Sequence, residues 1–506
     1  MDRDKGALDR RTFLGQGLGL ATLLLGGAPR PGARGPAVRP VRSRPPNIIY
    51  FMADDLGLGD LRAYNPTSHI PTPNIDQLAG HGIRFRDAHA PAPICTPTRY
   101  SVLTGRYPFR SRLQSGVLYS AYDEPVLGPD LVTLPELLRR NGYATAAIGK
   151  WHLGNNFANR AGDGPARAAV GTGRYTTRDV DFSKPLLDGP LNHGFDYFFG
   201  LASTLNHDPY TFIENDRVTV LPDGFRAEQI VNGQPFREGW IAPGWDAAAV
   251  GEHLLDAALS FITRHVQTRP DQPFFLYYAE VAPHFPHVPP VAIHGHPVKG
   301  QGGRDNDDPA RCDMIVQIDV VLGEILKRLR DPTGSGRSGQ SIAADTLVIL
   351  TSDNGADESS YAPLRSGKGS IYEGGQRVPF IASWPGKVPV GTTSDEVVGL
   401  NDMYATLAAA AGVQVPVGVA IDSENVLPAL LAQARHAPVR GPLIVQGAST
   451  ETLAVRLGRW KLIVKDDVPT ELYDLKADLK ESVNVLRQNP EVVKRLLAAL
   501  RDVRRR

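Results

Sequence analysis

This 506-residue chain has few cysteines, almost no surplus of positive charge and few long apolar runs. Its only cysteines are Cys95 and Cys312, and two cysteines cannot form the disulfide network that stabilises many small exported domains. Lysine and arginine number 55 against 54 aspartates and glutamates, which argues against a nucleic-acid-binding protein. With 42% hydrophobic residues, the chain is typical of a soluble globular protein whose stability comes from its core.

The N-terminus has the features of an export signal. Arg10 and Arg11 precede an apolar run that ends at about residue 28, and this run is short for a membrane-spanning helix. Twin arginines before a modest apolar stretch resemble a bacterial twin-arginine (Tat) signal, with an N-terminal anchor helix as the alternative. Residues 29–46 are rich in Pro, Gly and Arg, which predicts a linker. We therefore expect signal and linker over residues 1–46, the Tat machinery as export partner, and a periplasmic or secreted protein.

From residue 47 onward, apolar runs alternate with helical patterns. Strands buried on both faces are predicted in "NIIYFMADD" (47–55), "PFFLYYAEVAPH" (273–284) and "TLVILTSDNG" (346–355). A helix is predicted to begin after Thr133, with Pro135 in its first turn, and to lead into a short strand. "ARCDMIVQIDVVLGEILKRL" (310–329) has apolar residues at helical spacing. This alternation predicts an α/β fold over residues 47–415, with a large, mostly parallel mixed sheet sandwiched by helices.

The C-terminal part has a different pattern. "PLIVQ" and "TLAVRLGRWKLIVKD" predict short strands joined by a hairpin with its turn at Gly458. A final helix is predicted from about Pro490. Residues 416–506 are therefore predicted to form a small C-terminal α+β subdomain.

Polar side chains with oxygen ligands follow two of the predicted strands. Asp54 and Asp55 follow the first, and Asp353 and Asn354 follow another. Ligands of open α/β sheets bind at the carboxyl ends of the strands, so these four side chains can converge. Three carboxylates and an amide oxygen suit Ca²⁺ or Mg²⁺, whereas zinc prefers His and Cys. Each pair taken alone is also typical of a turn or a helix cap.

Six motifs in order indicate a family. The first, Cys95 to Arg99, fits the pattern Cys-x-Pro-x-Arg and is completed by "TGR" (104–106). The others are "GYATAAIGKWHLG" (142–154), "APHFPHVPP" (282–290), "TSDNGA" (351–356), "GKGSIYEGGQRVP" (367–379) and "ELYDLKADLKESVNV" (471–485). From about residue 47 to its end, the chain resembles a type I sulfatase of the alkaline phosphatase superfamily. The resemblance implies an alkaline-phosphatase-like fold and arylsulfatase-like hydrolysis of sulfuric esters.

The resemblance also implies a modified cysteine and a metal ion. In this family the motif cysteine is converted to formylglycine before folding, so Cys95 is expected to be a precursor of the nucleophile. A formylglycine-generating or equivalent sulfatase-maturing enzyme is then an expected partner. The metal ion is expected to be Ca²⁺, with Mg²⁺ as the alternative, and its implied ligands are Asp54, Asp55, Asp353, Asn354 and the modified residue made from Cys95.

Five further motif residues have implied catalytic roles. Arg99, Lys150 and Lys368 are expected to offset negative charge on the sulfate. His152 is expected to take a proton from the hydrated formylglycine, and His284 or Lys368 to protonate the leaving group. Each histidine taken alone would equally suit a loop residue bonded to backbone.

Other positions stay open at this stage. His287 and Arg377 are weaker candidates, and Arg377 is expected to support the site rather than to act in it. A further sulfate or leaving-group contact is expected from "STLNHDPY" (203–210), either from Asn206 or from His207. Cys312 has no motif around it and is expected to be a packing residue.

The sequence restricts the reaction more than the substrate. The segment up to residue 34 holds six basic and three acidic residues, so cleavage there would change the formal charge from +1 to −2 and leave no basic surplus for long polyanionic glycans. Residues 194–218 combine aromatic and polar side chains, which suits a sugar or aryl ring, and residues 307–313 are a second candidate specificity segment. We therefore expect an exo-acting enzyme on a sulfated sugar or a small aryl or alkyl sulfate.

Three rival functions stay open. They are a phosphonate or phosphate monoester hydrolase of the same superfamily, a non-catalytic sulfoglycan-binding protein, and a hydrolase using Cys95 as a thiolate. The thiolate hydrolase is disfavoured because no known pattern places a histidine beside Cys95.

Overall fold

The computed structural model describes residues 44–168, 175–303, 308–336, 340–357, 363–433 and 436–506. The predicted export signal and most of its linker lie outside these residues. Within them, no helix combines the length and the apolar character needed to cross a membrane.

Strands and helices alternate along most of the chain. The strands are β1 (Asn47–Ala53), β2 (Ile83–Phe85), β3 (Ala88–His89), β4 (Ala144–Lys150), β5 (Tyr197–Leu201), β6 (Ile213–Glu214), β7 (Arg217–Val218), β8 (Gly224–Arg226), β9 (Gln229–Val231), β10 (Gln234–Phe236), β11 (Gly239–Ile241), β12 (Phe274–Ala279), β13 (Ala292–Ile293), β14 (His296–Pro297), β15 (Thr346–Ser352), β16 (Phe380–Ser383), β17 (Thr392–Ser394), β18 (Val398–Gly399), β19 (Leu443–Gln446), β20 (Thr452–Leu457), β21 (Trp460–Lys465) and β22 (Val468–Asp474). The α-helices are α1 (Pro73–Gly80), α2 (Cys95–Thr104), α3 (Leu134–Arg140), α4 (Val250–Thr268), α5 (Pro309–Arg330), α6 (Glu373–Gln376), α7 (Met403–Ala410), α8 (Leu427–Leu430) and α9 (Pro490–Arg505).

One mixed sheet of ten strands organises the main part of the chain. Its order is β17-β2-β16-β15-β1-β12-β4-β5-β6-β7. The five central strands, from β15 to β5, are parallel, and antiparallel pairs extend the sheet on both sides. Parallel neighbours end at the same edge of a sheet, so the segments that follow β1, β4, β12 and β15 meet there.

The sheet is covered by helices on both faces. Along β1, Ile48, Tyr50 and Met52 belong to a core cluster that includes residues of α2, α3 and α7. The alternate residues Ile49 and Phe51 belong to a second cluster with residues of α1, α4 and α5. A strand with both faces buried reads as a continuous apolar run, which is why periodicity located β1 from sequence. The predicted α/β fold is confirmed.

Two local features of the sequence, Thr133 and Pro135, predicted the first turn of α3 correctly. The hydroxyl of Thr133 accepts a hydrogen bond from the backbone N–H of Glu136 at 3.3 Å, and Pro135 lies in the first turn. Both features are typical helix starts. The helix therefore begins where the sequence predicted it.

The C-terminal strands form a separate small sheet. Strands β19 to β22 pair antiparallel in chain order, and the β20–β21 hairpin turns at Gly458, whose φ is +57°. Leu496 and Leu500 of α9 pack in the same core cluster as these strands. The small antiparallel sheet and its helix match the predicted α+β character of this region.

Candidate active site

The ends of three parallel strands and the start of one helix converge on a single site. Asp54 and Asp55 follow β1, Lys150 ends β4, and Asp353 follows β15. Cys95 is the first residue of α2, whose ten residues are all buried. The main-chain topology therefore brings together residues that lie far apart in the sequence.

The acidic side chains form one compact cluster. Oxygen atoms of Asp54, Asp55 and Asp353 all lie within 4.8 Å of one another, and the three residues are buried. Asn354 donates from Nδ2 to Oδ1 of Asp55 at 2.7 Å, while its buried Oδ1 has no hydrogen-bond partner among the described residues. An oxygen-only donor set with a spare amide oxygen fits a hard divalent cation such as Ca²⁺ or Mg²⁺.

Three cations balance the three carboxylates. Lys150 Nζ lies 2.7 Å from Oδ2 of Asp54. Lys368 Nζ lies 2.6 Å from Oδ2 of Asp55. The guanidinium of Arg99 contacts Oδ2 of Asp353 at 2.7 and 3.1 Å. The formal charge of these six side chains is therefore zero, and a bound divalent cation would make it +2.

Burial and neighbouring charges shift the pKa values of Asp353 and Asp55 in opposite directions. Burial and the neighbouring carboxylate of Asp54 raise the pKa of Asp353 to about 6. Burial alone would raise the pKa of Asp55, but Lys368 and His284 outweigh it and lower that pKa well below its usual range. A positive ion near these oxygens would stabilise the ionised form of all three carboxylates.

Cys95 lies against the acidic cluster as a protonated thiol. Its Sγ lies 3.6 Å from Oδ1 of Asp54, and burial raises the pKa of the thiol to about 12. A ring nitrogen of His284 lies within 4.8 Å of that sulfur, so the structure supplies a histidine neighbour that no cysteine-hydrolase pattern in the sequence had placed there. Because a buried thiol beside carboxylates is a poor thiolate, the geometry still disfavours a cysteine hydrolase.

His152 presents an unprotonated nitrogen next to the site. Its Nε2 lies 2.8 Å from the carbonyl oxygen of Leu118, which can only accept, so Nε2 carries the proton. Burial lowers the pKa of His152 well below its usual range, and its buried Nδ1 has no partner among the described residues. A neutral ring with a free lone pair fits the proton-accepting role predicted for this residue.

His284 is held by its other nitrogen. Its Nδ1 lies 2.5 Å from the carbonyl oxygen of Phe285 and 3.1 Å from Oγ1 of Thr204, while Nε2 faces Asp55 at 3.9 Å. Burial lowers the pKa of His284 well below its usual range. Nε2 is thus the nitrogen directed at the acidic cluster.

The mid-chain segment also reaches the site. His207 packs edge-to-face on His152 with ring centroids 5.9 Å apart, and its Nδ1 lies 2.8 Å from Oγ of Ser203. Asn206 is buried, and its Oδ1 has no partner in the described part of the chain. Of the two candidates from "STLNHDPY", His207 therefore lies against His152, and Asn206 is its buried neighbour in the sequence.

The two weaker candidates have partners elsewhere. Arg377 forms ion pairs with Glu373 at 2.6 Å and Asp87 at 2.8 Å, within a buried network that joins the main sheet to the C-terminal strands. His287 forms an ion pair with Asp308 at 2.5 Å. Neither contact involves the acidic cluster.

Sequence reasoning missed three polar groups that position the histidines. Thr96 donates to the carbonyl oxygen of His152 at 3.1 Å and accepts from the backbone N–H of Leu118 at 3.3 Å. Thr204 contacts Nδ1 of His284. The position of Thr96 beside Cys95 was a usable signal, whereas nothing local marks the carbonyl of Leu118.

Comparison with known proteins agrees with this geometry. Residues 46–413 match the family model described as Sulfatase, and residues 367–506 match the one described as N-sulphoglucosamine sulphohydrolase, C-terminal. The chain is 32% identical to an N-acetylgalactosamine-6-O-sulfatase of Bacteroides thetaiotaomicron, over 92% of this chain and 94% of that protein. It is 31% identical to arylsulfatase A of Bos taurus, over 91% and 87% of the two chains.

A solved structure shares the fold. It was determined in work on the metabolism of multiple glycosaminoglycans by Bacteroides thetaiotaomicron, with a TM-score of 0.74 and 30% identity, over 92% of this chain and all of that one. Taken with the family match across most of the described residues, this shows that the chain belongs to the sulfatase family of sulfuric ester hydrolases.

Proposed function

We propose that this sulfatase hydrolyses the sulfate ester of a sulfated sugar with a nucleophile made from Cys95 and a bound divalent cation. The observation that carries the proposal is the position of Cys95, whose sulfur lies 3.6 Å from a carboxylate of the acidic cluster at the start of a buried helix. A protonated thiol has no evident use there, whereas a formylglycine at residue 95 would supply a hydroxyl nucleophile for sulfur. Asp54, Asp55, Asp353, Asn354 and residue 95 would hold the cation, with Ca²⁺ favoured over Mg²⁺, and it would polarise the sulfate oxygens.

The charges of the site would bind and orient the sulfate. With a divalent cation the six charged side chains would total +2, which attracts an anionic ester. Lys150 and Lys368 have flexible side chains that can turn from their carboxylates towards sulfate oxygens. Arg99 is held at both ends of its guanidinium and would keep Asp353 in place. Losing one such preorganised donor costs about 10² to 10³ in rate.

The two histidines would handle protons at opposite sides of the sulfate. Nδ1 of His152 has a free lone pair and would accept a proton from residue 95. Nε2 of His284 is directed at the site but carries the lone pair of the neutral ring, because Nδ1 donates to the carbonyl oxygen of Phe285. Lys368, whose pKa is raised by Asp55 despite burial, would therefore supply the proton for the departing alcohol, and His284 would do so only in its protonated form. General acid–base help of this kind contributes about 10² to 10⁴ in rate.

The relatives support a sugar as the substrate. The bacterial relative is named for N-acetylgalactosamine 6-O-sulfate, and a sugar alcohol is a poor leaving group that needs the acid described above. The twin arginines at residues 10 and 11 support export by the Tat route to the periplasm or beyond. We also propose residues 47–415 as the catalytic domain and residues 416–506 as its C-terminal subdomain.

The mass of the tryptic peptide of residues 87–99 tests the nucleophile. Conversion of the Cys95 thiol to an aldehyde removes about 18 Da, and we expect this deficit in active protein purified from its host. An unmodified thiol in fully active protein would contradict the proposal.

Sulfate release tests the roles of the residues. Cys95→Ala and Asp54→Asn should abolish turnover of a sulfated monosaccharide without unfolding the protein. Cys312→Ala, a matched change at the other buried cysteine, should keep it. Faster hydrolysis of the matched phosphate ester would favour the phosphoesterase alternative, and tight binding without turnover would favour a sulfoglycan-binding protein.

A further inference from the structure

Two exposed tyrosines and an arginine form a cluster at the surface beside the active site. Tyr119 and Tyr175 have ring centroids 5.9 Å apart and remain 47% and 41% exposed. The guanidinium carbon of Arg237 lies over the ring of Tyr175, 4.2 Å from its centroid. We call these three residues the tyrosine–arginine cluster. Large exposed rings grouped in this way are typical of ligand contact rather than of folding.

The main chain ties the cluster to the nucleophile. Leu118, which precedes Tyr119, accepts a hydrogen bond from Nε2 of His152 and donates its N–H to Oγ1 of Thr96. Thr96 directly follows Cys95. Tyr119 therefore follows a residue that is hydrogen-bonded both to His152 and to the neighbour of Cys95.

Arg237 is hydrogen-bonded to the mid-chain segment that carries Asn206 and His207. Its backbone N–H donates to the carbonyl oxygen of Asn206 at 3.2 Å, and its guanidinium donates to the carbonyl oxygen of Tyr119. The charge of Arg237 lowers the pKa of His207, second only to the effect of burial. Arg237 thus bridges the Tyr119 segment and the mid-chain segment that carries Asn206 and His207.

Arg237 forms no ion pair among the described residues, and the nearby Asp208 accepts hydrogen bonds from Tyr122 and Thr176 instead. Within the described part of the chain, no carboxylate lies within 4.0 Å of its guanidinium. Burial lowers the pKa of Arg237. By contrast, Arg99, Lys150 and Lys368, the cations of the acidic cluster, each pair with a carboxylate. A half-buried guanidinium that packs on an aromatic ring and lacks a carboxylate is a ready receptor for an anionic group.

We propose that the tyrosine–arginine cluster binds the sugar next to the sulfated one, with its ring on Tyr119 and Tyr175 and an acidic group on Arg237. This inference rests on the proposed function, since it places a second residue of a sugar substrate beside the sulfate ester. The flat faces of tyrosine rings suit the apolar face of a pyranose. The acidic group is a carboxylate or a second sulfate, which share the planar or trigonal oxygens that arginine recognises.

Matched disaccharides test the subsite. Sulfate release is measured from three substrates that share the same sulfated sugar, followed by a uronic acid, a second sulfated sugar or an uncharged sugar. Arg237→Met should lower kcat/KM about tenfold or more for an acidic neighbour relative to the uncharged one. The acidic substrate that loses more identifies the carboxylate or the sulfate as the preferred group, and Arg237→Lys should restore part of the loss.

Ring stacking is tested separately. Tyr119→Ala and Tyr175→Ala should lower kcat/KM for all three disaccharides about fivefold relative to the sulfated monosaccharide, whereas the Phe variants should keep it. Arg264→Met is the matched control, because Arg264 lies over Tyr197 at 5.5 Å and Tyr197 begins β5, at the opposite edge of the sheet. This control should leave every ratio unchanged.

The outcomes separate the subsite from the function on which it rests. If wild-type protein releases sulfate but Arg237→Met changes no ratio between acidic and uncharged neighbours, the subsite is wrong and the sulfatase proposal stands. If wild-type protein, with residue 95 converted, releases sulfate from none of the substrates, the proposed function itself is wrong.

Discussion

Replacing Arg99 with methionine tests whether the buried charges of the site are held in balance. Arg99 is fully buried and contacts Asp353 at 2.7 and 3.1 Å, with Asp54 at 3.5 Å. Methionine fills part of the space but removes the charge, which leaves the buried carboxylate of Asp353 without its partner, whereas Asp54 keeps Lys150 at 2.7 Å. Breaking a buried ion pair by removing one partner costs about 3–5 kcal/mol.

This cost translates into a small but measurable shift in melting temperature. The compact unit begins at Arg44 and spans about 460 residues. At about 2 cal/mol/K per residue, its entropy of unfolding is about 1 kcal/mol/K. We therefore expect Arg99→Met to lower Tm by about 3–5 °C in the presence of a chelator.

Calcium provides the second arm of the experiment. A cation at the proposed metal site would compensate the carboxylate of Asp353 that loses Arg99, so the Tm difference between the variant and the wild type should shrink in millimolar Ca²⁺. Arg86→Met is the matched control, because Arg86 lies 2.6 Å from Asp395 with both side chains more than half exposed. An exposed pair contributes at most about 1 kcal/mol.

Two results would refute the reasoning in different places. Equal Tm losses for Arg99→Met and Arg86→Met in chelator would show that burial does not increase the cost of losing the Arg99 ion pair. A loss at Arg99 that is the same with and without Ca²⁺ would refute the metal site but leave the ion-pair argument intact. Tm is measured by calorimetry, with sulfate release followed on the same samples.

Two further predictions concern stability. Burial raises the pKa of Glu280 to about 7 from 4.5, so between these pH values the folded state keeps a proton that the unfolded state has lost. The free energy of unfolding should therefore fall with rising pH, by up to ~1.4 kcal/mol per unit, and Glu280→Gln should flatten this slope in urea titrations while the exposed Glu451→Gln keeps it. Gly105 directly follows α2 with a φ of +62°, and a Cβ there would lie 2.4 Å from Cβ of Ala420, so Gly105→Ala should cost about 2–4 kcal/mol. Gly458→Ala, with a similar φ and open space, should cost about 1 kcal/mol, and equal losses would contradict the clash.

Local sequence features predicted the elements that carry the site. Continuous apolar runs located β1, β12 and β15 because both faces of these strands are buried. Acidic residues directly after β1 and β15 then predicted a shared oxygen-rich edge, since parallel strands end at the same side of a sheet. The convergence of Asp54 and Asp353 is the structural consequence of that rule.

Other features of the site had no local signal. The proximity of His284 to Cys95 depends on how the loop after β12 folds back over the start of α2. The tautomer of His152 is set by a carbonyl group from Leu118, and a backbone carbonyl looks the same in every sequence. Without the family resemblance, the sequence therefore had no local pattern that places His284 beside Cys95.

The sequence by itself determined the α/β fold, the family motifs and the residue types available for chemistry. Only the tertiary structure decided which nitrogen of each histidine is free, how the carboxylates and cations pair, and that Tyr119, Tyr175 and Arg237 meet at the surface. The physical reason is the separation along the sequence of the residues that make each contact. Strand and helix patterns come from neighbours along the chain, whereas these contacts come from separate loops whose positions are fixed only when the sheet and its helices pack.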